Sequence, residues 1–153
     1  MKLYLMQHGE AMREEHDPTR PLTEKGRAAT NRVVQYAVER AGVRVARIVH
    51  SGKLRARQTA EIWRELLPAA LITEEEGLDP QASPEICRER LALATDDVLV
   101  VGHLPHLARL AALLLCGHDG SDPIMVQNAG LICLERREHN GWSVRWALTP
   151  EIV

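Results

Sequence analysis

The sequence predicts an α/β fold in three layers, with helices on both faces of a mostly parallel sheet that ends in an antiparallel hairpin. Six short apolar or β-branched runs predict strands, and helical patterns separate the first four of them. Strands that alternate with helices pair in parallel, because a crossover helix returns the chain to the same edge of the sheet. The runs are KLYLM at 2–6, ARIVH at 46–50, ALIT at 70–73, DVLVV at 97–101, AGLICLE at 129–135 and WSVRWAL at 142–148.

Capping and chain-breaking residues set the ends of four predicted helices. Thr23 and Ser83 are N-cap residues, because their hydroxyls can accept a hydrogen bond from a free backbone N–H of the first helical turn. The second helix has Trp63 and Leu66 on its predicted buried face, and the fourth is apolar on most of its surface. We expect the helices at about 23–40, 53–67 and 83–94, and from Pro105 to the residue before Gly117.

The last two runs predict a hairpin. They indicate strands at about 130–135 and 142–147, and Asn140-Gly141 between them favours a tight turn between antiparallel strands. The chain has 153 residues, which is long enough to bury roughly two-thirds of the surface that its unfolded form exposes. No repeat or linker interrupts it, so we expect one domain over residues 1–153.

Composition argues against several classes of protein. The formal net charge of −2 leaves no excess of lysine and arginine to neutralise a phosphate backbone, so we expect no nucleic-acid partner. The first apolar run, at 3–6, is too short for a signal peptide or a membrane span. Cys87, Cys116 and Cys133 lack the spacing of a zinc site and the even number of a disulfide scaffold. We expect buried, reduced thiols in a cytoplasmic protein without membrane contact.

Polar residues follow three of the predicted strands, where the loops of a parallel sheet meet helix N-termini and bind ligands. Among them, His8, Arg55 and His103 form a set that is suited to phosphoryl transfer, because a neutral imidazole attacks phosphorus while an arginine fork and a second imidazole hold its oxygens. Gly9 is expected to let the backbone approach the anion closely. These residues predict a phosphate site that works through a phosphohistidine, without a metal or other cofactor. The loops are QHGE at 7–10, HSGKLR at 50–55 and GHLPH at 102–106.

Other interpretations of these residues stay open. His8 alone can be a strand-end histidine bound to a backbone carbonyl. Another interpretation is a zinc site with His8, Glu10, His103 and His106 as ligands. The spacing of these residues is unlike that of zinc motifs, and a neighbouring arginine repels the metal. Otherwise Glu10 is expected to orient His8 or to balance the charge of the pocket. Three further residues are expected to be structural: His50 within the sheet, His106 at the rim or in the packing, and Arg57 in solvent.

Four blocks of the sequence resemble a known family. In order and spacing they are similar to the blocks of the SixA-type phosphohistidine phosphatases, a small branch of the histidine phosphatase, or phosphoglycerate mutase-like, superfamily. The resemblance covers nearly the whole chain and implies a phosphoglycerate mutase-like fold and a metal-independent phosphatase. The blocks are LMQHGEA at 5–11, RPLTEKG at 20–26, SGKLRARQTAE at 51–61 and VVGHLPHLARLAALL at 100–114.

The resemblance implies roles for five residues. His8 is the nucleophile that becomes phosphorylated, and Arg55 and His103 hold the phosphate during catalysis. Arg20 matches an arginine that reaches the pocket from the loop before the first helix. The family has an arginine directly before the nucleophile, and this chain has Gln7 there, so a phosphoryl oxygen would be held by an uncharged amide.

The loss of a fixed charge at Gln7 bears on the substrate. A charge-assisted hydrogen bond contributes about 1.5–3 kcal/mol, and the labile P–N bond of a phosphohistidine tolerates its loss better than an alkyl phosphate monoester does. We therefore expect a phosphohistidine (phosphoramidate) phosphatase that acts on a phosphohistidine-bearing protein or a small phosphorylated substrate. Two alternatives stay open. One is a phosphate- or phosphohistidine-binding module with weakened catalysis, and the other is a small-metabolite phosphomonoesterase with a general acid from the carboxylates at 74–76 or Asp79.

Overall fold

The computed structural model describes residues 1–138 and 141–153, and within them the chain forms a six-stranded sheet between two pairs of helices. In these ranges no helix is long and apolar enough to cross a membrane. The strands are β1 (Lys2–Gln7), β2 (Arg47–His50), β3 (Leu71–Glu74), β4 (Val98–Gly102), β5 (Leu131–Arg136) and β6 (Trp142–Leu148). The helices are α1 (Glu24–Glu39), α2 (Leu54–Leu66), α3 (Pro84–Leu93) and α4 (His106–Cys116).

The strands lie in the order β3-β2-β4-β1-β5-β6. The first four in that order are parallel, whereas β5 is antiparallel to β1 and β6 is antiparallel to β5. β1 is central, with Leu3 opposite Val98 of β4 and Leu134 of β5. The predicted α/β fold with a mostly parallel sheet is confirmed. The turn predicted at Asn140-Gly141 lies partly outside the described residues and stays a prediction.

Side chains of β1 alternate between two hydrophobic cores, as the two-residue period of a strand requires. Tyr4 and Met6 pack with α1 and α2 on one face of the sheet, and Leu3 and Leu5 pack with α3 and α4 on the other. None of these four side chains is more than 2 % exposed. The helices therefore cover both faces of the sheet, so a ligand can approach at the ends of the strands, and the polar loops lie at the carboxyl ends.

The ends of the helices agree with the capping signals in the sequence. The hydroxyl of Thr23 accepts a hydrogen bond from the N–H of Gly26 at 2.9 Å, and Ser83 caps α3 in a similar way. Gly117 follows α4 with a φ of 81°, in the left-handed region that favours glycine. α4 itself begins one residue after Pro105, which takes the N-cap position.

Two predictions on burial are wrong. Leu66 is 41 % exposed, because the buried residues at this end of α2 are Trp63 and Leu67, the residue that follows the helix. Cys116 is exposed, because α4 extends past the core at its C-terminal end. The other two thiols are buried as expected.

Candidate active site

The carboxyl ends of β1, β2 and β4 surround a cleft of about 340 Å³. The chain turns into a loop or a helix at each of these ends, so side chains from distant parts of the sequence meet there. All five residues singled out in the sequence line this cleft, together with Asn128 from the loop before β5. They are Gln7, His8, Arg20, Arg55 and His103.

The main chain of His8 is held from two sides. Its N–H donates to the carbonyl of Gly102 at 3.1 Å, directly after the β1–β4 ladder. Its carbonyl accepts from the side-chain amide of Asn128 at 3.0 Å and from the N–H of Ala129 at 3.2 Å. The backbone at the candidate nucleophile is therefore fixed by β4 and by the segment that leads into β5.

The ring of His8 has a defined tautomer. Its Nδ1 lies 2.7 Å from the carbonyl oxygen of Gly9, and because a carbonyl only accepts, Nδ1 carries the proton. The lone pair of the neutral ring is then on Nε2, which accepts from Nε of Arg55 at 3.1 Å. Burial, together with the positive charges of Arg55 and Arg20, lowers the pKa of His8 to about 4. The ring is thus neutral near pH 7, with a lone pair available for attack.

Arg55 stands in the first turn of α2, and its side chain is buried against His8. A cation at a helix N-terminus is unfavourable, because the helix dipole is positive there. Burial and the nearby charge of Arg20 both lower the pKa of Arg55. Among the described residues, neither guanidinium forms a salt bridge with a carboxylate. The cleft therefore holds two cationic groups that an anion would stabilise.

His103 follows β4 and is 1 % exposed. Its Nε2 is hydrogen-bonded to the hydroxyl of Ser51, and its ring centre lies 5.0 Å from that of His8, tilted by 55°. Burial is the main cause that lowers the pKa of His103 to about 3, followed by the proximity of His8 and Arg55. The two imidazoles are both neutral near pH 7, and they face the same volume from neighbouring strands.

Arg20 reaches the cleft from a turn before α1. Its backbone has a φ of 50°, a conformation that a residue with a side chain seldom adopts, and its N–H donates to the carbonyl of Asp17 at 3.0 Å. Its Nε donates to the carbonyl of Met12 at 3.1 Å. With Nε bound, the outer edge of the guanidinium remains for a ligand.

Gln7 is the last residue of β1 and pairs with Gly102 across the ladder. Its carbonyl accepts from the N–H of Ala129 at 3.1 Å. The side chain is 9 % exposed and forms part of the wall of the cleft. Its Oε1 is buried and has no hydrogen-bond donor among residues 1–138 and 141–153.

The structure contradicts the expected approach of Gly9 to an anion and the expected orientation of His8 by Glu10, whereas Glu10 lines the cleft and its role in balancing the charge there stays a prediction. The N–H of Gly9 donates to the hydroxyl of Thr59 at 3.1 Å and so does not face an anion. A Cβ at Gly9 would lie 2.5 Å from Oγ1 of Thr30, so glycine is needed here for close packing against α1. The carboxylate of Glu10 accepts from Thr23 at 3.0 Å and lies 3.4 Å from Nζ of Lys25, so it is tied to the start of α1 and does not orient His8.

The residues expected to be structural behave accordingly. Nδ1 of His50 donates to the carbonyl of Ser51 at 2.7 Å, and Arg57 is exposed beside Glu61. His106 is fully buried, so it packs in the core and does not lie at the rim. No group of three or more His, Cys, Asp or Glu residues in the described part of the chain is arranged to hold a metal ion.

Sequence reasoning missed Ser51 and Asn128 as parts of the site. Ser51 was noted as part of a loop, but only the fold shows that its hydroxyl meets His103. Asn128 is 120 residues from His8 in sequence, and it reaches the cleft because β5 pairs with β1. A polar Gln127-Asn128 pair directly before a strand was the available signal.

Comparison with known proteins decides the family. Residues 3–80 match the model of the histidine phosphatase superfamily (branch 1). The chain belongs to this superfamily. The match includes His8, Arg20 and Arg55, and it ends before His103.

Individual relatives agree with this assignment. The chain is 38 % identical over 143 residues to an uncharacterised protein of Picosynechococcus, covering 88 % of this chain and 84 % of the relative. It is 27 % identical over 160 residues to the phosphohistidine phosphatase SixA of Escherichia coli, covering 98 % and 94 %. The structure of the protein histidine phosphatase SixA complexed with tungstate superposes with a TM-score of 0.87 at 26 % identity, over 99 % of both chains. The phosphoglycerate mutase-like fold is confirmed.

Proposed function

We propose that this protein is a phosphohistidine phosphatase that works through a phosphorylated His8 and needs no metal. The observation that carries the proposal is the ring of His8: Nδ1 is fixed as a donor to Gly9, so the lone pair lies on Nε2, 3.1 Å from Arg55. A buried neutral imidazole beside a guanidinium is suited to attack on a phosphoryl group.

In the first step, Nε2 of His8 attacks phosphorus, and the P–N bond to the substrate breaks. When the other ring nitrogen of the substrate's phosphohistidine is protonated, its imidazole leaves as a neutral molecule and requires no separate acid. The ring of His8 becomes positive as the new P–N bond forms, which strengthens the hydrogen bond from Nδ1 to the Gly9 carbonyl. Water then attacks phosphorus, phosphate leaves with the proton balance taken up by solvent, and neutral His8 is restored.

The remaining groups hold the phosphoryl oxygens. Arg55 exchanges its bond to Nε2 for the oxygens as the phosphoryl group enters, and Arg20 offers the free edge of its guanidinium. Arg20 and Arg55 supply the positive charge that the transferring group needs. His103, held by Ser51, completes the set from the neighbouring strand.

The carboxylates near the cleft favour a phosphoramidate over a monoester. A monoester needs an acid to protonate its leaving alkoxide. Asp79 lies 3.3 Å from Nζ of Lys53, and Glu75 is shared by Arg47 and Arg90. Both carboxylates are engaged by cations and neither lines the cleft, so neither is placed to protonate a leaving alkoxide. The likeness to the protein histidine phosphatase SixA further supports a phosphohistidine-bearing protein as substrate.

The test is phosphate release from a protein that carries chemically prepared phosphohistidine, in the presence of a chelator. We expect turnover by the wild type and by His16→Ala, a control at an exposed histidine, and none by His8→Ala. Acid-labile, alkali-stable phosphate should be trapped on the wild type after rapid quenching in base. If the wild type binds inorganic phosphate but releases none from the substrate, the protein is a phosphate-binding module and the proposed phosphatase activity is refuted.

A further inference from the structure

Gln7 brings an unusual group to the wall of the cleft. Its side chain is nine-tenths buried, directly before His8, and its backbone is fixed by β4 and by Ala129. Within the described ranges no donor reaches its Oε1. A buried carbonyl oxygen without a hydrogen bond is destabilising. The oxygen is shielded from solvent in this conformation, so the amide must turn it towards the cleft before a ligand can donate to it.

The hydrogen-bonding capacity of Gln7 differs from that of the guanidinium groups in the cleft. Guanidinium groups such as those of Arg20 and Arg55 only donate, and fully ionised phosphoryl oxygens only accept. The amide of Gln7 is different, because rotation about its last torsion presents either an N–H or the carbonyl oxygen to the cleft. An arginine at this position would supply donors alone. Gln7 thus adds an acceptor to a phosphoryl site, and a phosphoryl oxygen can bond to that acceptor only when it carries a proton.

The positive charge around the cleft is lower than an arginine at position 7 would make it, which reduces the electrostatic advantage of a fully ionised group. His8 and His103 are neutral near pH 7 for the reasons given above. Lys53 at the start of α2 is paired with Asp79, and Glu10 is paired with Lys25. The unpaired positive charge that faces the phosphoryl group therefore comes from the two guanidinium groups, without the third that an arginine at position 7 would add.

We propose that Gln7 is a specificity-determining residue whose amide carbonyl accepts a hydrogen bond from a protonated phosphoryl oxygen, so that the site selects monoanionic phosphoryl groups over fully ionised ones. The inference rests on the proposed function, because it assigns a preference to the same phosphoryl site. Gln7 then favours the binding of a phosphoryl group that carries an O–H.

Inorganic phosphate and sulfate test the inference, since they have similar size and shape. Below the second pKa of phosphate, phosphate is a monoanion with O–H groups, whereas sulfate is a dianion without any. Calorimetric titration at such a pH gives Kd for each ion with the wild type, Gln7→Arg, Gln7→Met and Gln127→Met. Gln7→Met keeps the length of the side chain and replaces the amide by a thioether, whose sulfur is only a weak acceptor. Gln127→Met makes the same exchange at a glutamine whose side chain is bound to Glu151 outside the cleft.

We expect the wild type and Gln127→Met to bind phosphate at least about tenfold more tightly than sulfate, the effect of one hydrogen bond to a charged ligand. Gln7→Met and Gln7→Arg should lower that ratio by at least about tenfold. If the wild type binds both ions and Gln7→Met leaves the ratio unchanged, the inference is overturned while the phosphoryl site stands. If the wild type binds neither ion, both the inference and the proposed function are overturned.

Discussion

Gly26 in α1 is a position where two effects oppose each other, and the structure decides between them. Replacing glycine by alanine within a helix usually stabilises it by about 1 kcal/mol. A Cβ at Gly26, however, would lie 2.7 Å from the backbone nitrogen and 2.8 Å from the carbonyl carbon of Glu10, and nearer still to its oxygen. These are backbone atoms of the loop that carries His8, so they cannot turn aside as a side chain would.

The clash should dominate in Gly26→Ala. Overpacking costs about 1–3 kcal/mol, and contact with three backbone atoms places this case near the upper end. After the gain in helix propensity, we expect a net loss of about 2 kcal/mol in the free energy of unfolding. The loop must shift to make room, and a displacement of about 1 Å at a nucleophile lowers the rate by about 10².

Urea denaturation and phosphate release measure both effects. Asn31→Ala is the matched control, because it gives the gain in propensity at an exposed position of the same helix without a clash. We expect that control to be more stable by about 0.5 kcal/mol and fully active. A Gly26→Ala protein as stable as the wild type, or more so, would refute the reasoning that backbone contact governs this position.

Three further predictions concern the cleft and the buried histidines. Ser51→Ala removes the hydrogen-bond partner of His103 and should lower kcat about tenfold. The free energy of unfolding, measured by urea denaturation, should fall by no more than about 1.5 kcal/mol. An unchanged kcat would contradict the role of the hydroxyl. Arg55→Lys loses the Nε donor and the planar guanidinium. The rate of phosphate release should fall by a factor on the order of 10³, while the circular dichroism spectrum stays unchanged. Retention of a tenth of the activity would contradict a role of the guanidinium in holding the phosphoryl group. The free energy of unfolding should decrease as pH falls from 6.5 towards 4. His8 and His106 are buried with pKa values of about 4, so they stay neutral in the folded protein, whereas the same histidines in the unfolded chain take up protons near pH 6.5. His106→Leu should reduce that slope by up to one proton, and a flat profile in the wild type would show that these rings are not held neutral.

The sequence was sufficient for features that depend on neighbouring residues. The caps at Thr23 and Ser83 and the helix end at Gly117 follow from local backbone chemistry, and the structure shows them. The association of His8, Arg55 and His103 at one edge also followed, because the carboxyl ends of parallel strands lie together. For these features no knowledge of the strand order was needed.

Features that depend on contacts between distant segments were not accessible in this way. Gly9 was expected to face an anion, but its place is set by Thr30 and Thr59, which the chain brings to it only after α1 and α2 have packed. Asn128 belongs to the site because β5 pairs with β1 on the side opposite β4. Strand order depends on the whole sheet, and a single sequence does not specify it through local patterns.

The central position of β1 links the fold to the chemistry. Because β1 lies between β4 and β5, Gln7 and His8 are held by backbone hydrogen bonds from both neighbours, to Gly102 on one side and to Ala129 on the other. The side chain at position 7 can then be exchanged without moving the nucleophile, because these hydrogen bonds are made by the backbone. Gln7 can therefore act on a phosphoryl group while His8 keeps its tautomer and its contact with Arg55. In the proposed mechanism, Gln7 affects which phosphoryl group is recognised, and His8 sets the geometry of attack.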